Sequence, residues 1–85
     1  MTAKTVELED MSINQIARLI QKDWGKVNFA AIPYLDAMYA LTTIDNQYGM
    51  DSGRDIVNRF LGNAGQWRGE TARAVKTELK RRLKS

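Results

Sequence analysis

The reading of MSINQIARLIQKDWG, Met11–Gly25, decides the fold class of this chain. Ser12 stands where a helix N-cap belongs, and Gln15 follows three residues later, the spacing of a capping box. Met11 before the cap and Ile16 after it form a candidate hydrophobic staple. Ile13, Ile16, Ala17, Ile20 and Trp24 then recur at helical spacing, so one side of the cylinder is apolar. Arg18, Gln21 and Lys22 fall elsewhere on it, and Gly25 ends it. This predicts a helix over 12–24.

Working outward, the same punctuation recurs. Pro33 fixes φ and lacks an N–H, which suits the first turn of a helix. A second helix is expected over 33–47, with an extra turn over Asn28–Ala31. Ala37, Leu41, Ile44 and Tyr48 form its apolar line, broadened by Leu35 and Met38, and a stripe this wide predicts a central helix. Gly49 then reads as a left-handed stop, with Met50 as the apolar residue that follows. Ser52 caps a third helix over 52–62, where Asp55 takes the acidic position three residues on. GNAGQWRG reads as a turn carrying Trp67, and the last helix runs over 70–84 with Ala72, Val75, Leu79 and Leu83 inward. No alternation of useful length competes as a strand. The expected fold is all-α: a single-domain bundle of four helices over 11–85, preceded by a flexible arm at 1–10.

Composition excludes much chemistry. The chain has 85 residues, no Cys and no His. Disulfides, thiolate metal sites, the usual Cys/His zinc sites and Ser-His-Asp triads are therefore out. No apolar run approaches the roughly 20 residues of a membrane span. The start, MTAKTVELEDM, is acidic where a signal peptide is apolar. A cytoplasmic protein is expected. The scaling of surface with mass leaves roughly 60 % of the unfolded surface buried, a modest core that a homodimer would extend. If Leu19 and the Tyr39 side of the second helix are both uncovered, they are the expected dimer contacts.

The acidic and glycine-rich stretches select no site. Asp45, Asp51 and Asp55 bracket NQYGM, but from Asp45 the calcium-loop glycine falls at Met50 and its bidentate Glu at Ile56. The glycines form neither GxGxxG nor a P-loop. Asp36, Asp55 and Glu70 have no spacing that selects a catalytic pair. No catalytic, cofactor or metal residue is assigned, and a non-enzymatic protein is expected. Trp24 and Trp67 read as core residues before they read as base-stacking platforms.

Charge is unevenly placed. The chain carries +3, but residues 1–67 hold −2 and residues 68–85 hold +5. On the last helix Arg73, Thr77, Lys80 and Lys84 recur every three or four residues, with Lys76 and Arg81 beside them. These six are the candidate contacts to phosphate or to an acidic partner. Late-helix cations also offset the C-terminal dipole, so a solvated helix end explains part of the pattern. Tyr39 is the candidate interface aromatic.

The segments KVNFAAIPYLDAM, YGMDSGRDIVNRFLGNA and QWRGETARAVKTELK resemble small helical proteins encoded by tailed bacteriophages and prophages. The resemblance covers about two thirds of the chain, and its most particular pieces are PYLDAM, DSG and WRG. It implies a setting in the cytoplasm of a bacterial host and action by contact with a host or phage protein. That group carries no assigned activity, so no site residue transfers. The alternative is a nucleic-acid-binding protein using the basic C-terminal helix.

Overall fold

A computed structural model describes residues 8–84. Helix α1 spans Ile13–Asp23, with both halves of the capping box formed. The Gln15 N–H donates to Ser12 Oγ at 3.4 Å, and the Ser12 N–H donates to Gln15 Oε1 at 2.9 Å. Ile13, Ile16, Ala17 and Ile20 are buried along one side, as the spacing predicts.

Helix α2 is shorter than the sequence suggests. It spans Ile32–Met38, not 33–47, and enters through a turn in which the two Asn28 carbonyls, side-chain and backbone, accept from Ala30, Ala31 and Ile32. Its last turn tightens through i→i+3 bonds, Ala40 N–H to Ala37 O and Leu41 N–H to Met38 O. The chain then folds around Asn46, whose Oδ1 accepts from Thr42 N–H at 2.7 Å and Thr43 N–H at 3.0 Å. Thr43 Oγ1 takes the Asp45 N–H. Short polar side chains here offer the backbone an alternative to the helix, and two adjacent β-branched threonines weaken the helix itself. Leu41 and Ile44 remain buried because the loop lies on the core, while Tyr48 does not.

Beyond it lies a two-residue hairpin that the sequence reading missed. Strand β1 (Gln47–Tyr48) pairs antiparallel with β2 (Asp51–Ser52), Gln47 opposite Ser52 and Tyr48 opposite Asp51. Gly49 has φ +61°, as expected of a left-handed residue, but it opens a two-residue hairpin loop and does not end a helix. Met50 beside it is 99 % exposed and packs on nothing. The expectation of a purely all-α bundle is therefore corrected: the protein is mostly helical with a small two-stranded sheet.

Helix α3 (Gly53–Gly62) starts on Ser52, whose Oγ accepts from the Asp55 N–H. Helix α4 spans Glu70–Lys84. Helix α1 packs chiefly on α2 and α4, and α3 on the same two, so α2 touches two neighbours, as its wide apolar stripe predicts, but is no more central than the other helices. The Cα radius of gyration, 11.8 Å, is that of a compact unit. Of the arm expected at 1–10, only residues 8–10 are described; they are helical, and Leu8 is buried in the core. The remainder of the expected arm lies outside the described residues.

Trp24 and Trp67 are both in the core, at 8 % and 3 % exposure. Their rings stack at 5.8 Å with 7° between planes, and Phe60 meets Trp24 edge-on. Trp67 Nε1–H donates to Asp23 Oδ2 at 2.8 Å. The turn between α3 and α4 is thus tied to the end of α1.

Gly53 is the tightest point of the chain. A Cβ there would stand 2.7 Å from Ile44 O and 3.1 Å from Asn46 O, both backbone atoms. Gly62, on the same helix, has nothing within 4 Å. Urea melts should therefore separate two formally identical changes. Gly53→Ala is expected to destabilise by about 1–3 kcal/mol through overpacking. Gly62→Ala is expected to stabilise by about 0.4–1 kcal/mol through reduced unfolded-state entropy.

Candidate anion-binding face

The sequence of α4 sorts its side chains by direction. Ala72, Val75 and Leu79 face the core and are fully or almost fully buried. Arg73, Thr77, Lys80 and Lys84 are exposed and rise along the opposite side. At 1.5 Å per residue, Arg73 to Lys84 covers about 16 Å of helix axis. Arg73, Lys80 and Lys84 form no ion pair among the described residues.

The remaining two basic candidates behave differently. Lys76 is half-buried; its Nζ donates to Trp67 O at 2.6 Å and stands 5.9 Å from the Trp67 ring centre. Burial pulls its pKa below the ordinary lysine value, and the Lys80 and Arg68 charges add to this. Arg81 is exposed but bound to Glu78 by two hydrogen bonds, Nε to Oε1 at 3.0 Å and Nη2 to Oε2 at 2.6 Å.

Glu78 was not singled out in the sequence, yet it organises the charge on α4. Its side chain is only 7 % exposed and also accepts from Arg82 Nε at 2.6 Å. Arg82 reaches on to Leu8 O at 2.9 Å, which ties the start of the described chain to the end of α4. The i,i+3 and i,i+4 spacing of Arg81 and Arg82 from Glu78 was the available signal. With Glu78 turned inward and neutralised, Glu70 in the first turn is the one carboxylate that α4 leaves exposed.

Tyr39 is 36 % exposed, and its hydroxyl donates to Gln21 Oε1 at 3.3 Å. Gln21 and the half-buried Leu19 lie about 160° apart around α1, so Tyr39 and Leu19 do not share one face. The structure instead leaves Phe29 at 88 % and Met50 at 99 % exposure. The sequence reading missed both: Phe29 sits in the joining stretch before α2, and Met50 was assigned to a helix cap. Two surface depressions flank α1, one lined by Glu9, Asp10, Asp45 and Arg82, the other by Met11, Arg18, Leu19 and Lys22. Among the described residues, no three carboxylates are placed to hold a metal ion, and no helix is long and apolar enough to cross a membrane.

No protein-family model, curated protein or solved structure matches the chain. The resemblance to phage-encoded proteins gains no support from them, and the face on α4 has to be read from its own geometry.

The Glu78 cluster makes stability depend on acid. The Arg81 hydrogen bond, outweighing the cost of burial and helped by Arg82, holds the Glu78 pKa below its ordinary 4.5. A depressed carboxylate contributes fully above its unfolded value and loses that contribution as pH falls through the folded one. Glu78→Gln should therefore destabilise at neutral pH by about 1.5–3 kcal/mol, the range for hydrogen bonds to charged groups. The gap to wild type should close progressively below pH 4.5, as read by denaturant melts at stepped pH.

Proposed function

We propose that this is a non-enzymatic binding protein that engages an anionic macromolecule through the exposed face of α4. One observation carries the reading: Arg73, Lys80 and Lys84 form an exposed row with no ion pair among the described residues. Dipole compensation explains cations in the last turn, such as Lys84. It does not explain Arg73, which lies near the N-terminal end of α4, far from the C-terminal carbonyls that cations offset. The non-enzymatic part rests on the sequence, which has neither Cys nor His. The setting this reading takes is the bacterial cytoplasm.

A second reading is contact with a host or phage protein. It is favoured by Phe29 and Met50, large apolar side chains held almost wholly in solvent. In that case Phe29→Ser and Met50→Ser would abolish partner capture while leaving stability within about 0.5 kcal/mol, the norm for surface changes.

Elution from a heparin column tests the first reading. Arg73→Glu with Lys80→Glu is expected to lower the eluting salt markedly. Lys26→Glu with Arg59→Glu alters net charge equally at exposed positions on other elements, and is expected to lower it little. Equal shifts from the two pairs would mean that overall charge, not the α4 face, causes retention.

A further inference from the structure

The exposed side of α4 has a composition that narrows its partner. Arg73, Ala74, Thr77, Lys80, Arg81 and Lys84 supply no apolar side chain larger than a methyl group. Protein–protein interfaces draw their affinity from a desolvated central cluster, enriched in aromatic residues, with charge pushed to the rim. The large apolar residues left in solvent, Phe29, Ile32, Tyr39, Tyr48 and Met50, all belong to other elements. A protein partner on α4 would have nothing to dehydrate. A phosphate backbone needs no such centre, since counterion release supplies the free energy.

The form of nucleic acid follows from the aromatics and amides. Single-strand binders stack bases on exposed rings. Both tryptophans here are stacked on each other inside the core and closed off from any base, and the exposed rings of Phe29, Tyr39 and Tyr48 lie on elements other than α4. Base reading in a groove relies on Asn or Gln, or on bidentate Arg, reaching base edges. The row has no amide, and Arg81 already commits two of its donors to Glu78, which leaves Arg73 as its one guanidinium with a free fork among the described residues, too few to read a sequence. Backbone contact is what remains, and it fixes position without reading bases.

We infer that the exposed face of α4 binds the sugar–phosphate backbone of duplex nucleic acid without reading its sequence. This rests on α4 being the binding face.

The test uses the full chain with pairs of DNA and RNA duplexes of unrelated sequence, the matching single strands, and polyglutamate. Three or four phosphate contacts predict that duplex affinity falls about 40- to 150-fold between about 50 and 200 mM salt. The two sequences of a pair should bind within about twofold of each other, since backbone contacts carry no sequence information. Binding of either duplex type supports the inference, and comparing the two says whether the ribose is tolerated. Arg73→Gln, Lys80→Gln and Lys84→Gln together remove charge only at exposed positions and should cost at least tenfold in affinity. The salt slope should flatten by about one unit for each phosphate partner removed. Circular dichroism of that variant should match wild type. Single strands bound more tightly than duplexes, or a strong preference between the paired sequences, would overturn the inference. Polyglutamate bound with no duplex bound would overturn it too, while leaving α4 as the binding face. No probe bound, or a triple variant binding as wild type does, would remove both.

Discussion

Two carbonyl groups at the head of α1 set much of this structure. Ile13 N–H donates to Thr42 O and Asn14 N–H to Leu41 O, each at 2.9 Å. The first N–H groups of a helix lack intrahelical partners and must be satisfied from outside. Ser12 Oγ takes only one, from Gln15. The chain after α2 supplies the rest, and to do so it must stop being helical so that its carbonyls can turn toward α1. Asn46 then holds the bend, and its own carbonyl accepts the Gly53 N–H at 2.7 Å. One junction thus links the start of α1, the end of α2, the hairpin and the start of α3. Its closeness is why a glycine stands at 53.

Beside this junction, along a depression lined by Ser12, Thr42 and Arg82, the ends of the described chain are joined by charge. Glu78 is buried between two guanidinium groups, and Arg82 carries the contact on to the Leu8 carbonyl. A buried ion pair of this kind adds little over an apolar substitute, but losing one member leaves an uncompensated charge. Its larger effect is on the surface. By drawing Arg81 and Arg82 together with the acid, it leaves Arg73, Lys80 and Lys84 as a row of one sign. Arg54 adds a further tie, donating to Leu83 O and to Asp45.

How much of this was legible in the sequence depends on the range of the cause. Helices α1, α3 and α4 follow from local signals: capping serines ahead of α1 and α3, each with a partner three residues on, and apolar residues at helical spacing in all three. Helix α2 was overextended because Ala37, Leu41, Ile44 and Tyr48 keep helical spacing past its true end. Leu41 and Ile44 are buried as expected, but by a loop lying on the core, and spacing alone does not distinguish the two. The deciding partners, Ile13 and Asn14, lie almost thirty residues earlier. The basic row was legible because exposed charge on a helix needs only periodicity. Glu78 was not, because an acid among arginines reads equally as solvated or buried until the neighbouring elements are placed.

The chain has two indoles, and the fold lays one flat on the other with 7° between planes. Their electronic transitions must mix at that distance and orientation, so light absorbed by one is shared with its neighbour. The native state therefore carries an intrinsic optical signature of its own topology. It joins residues 24 and 67, and it vanishes when the end of α1 parts from the turn ahead of α4. Neither a dye nor a tag is required to watch that closure form.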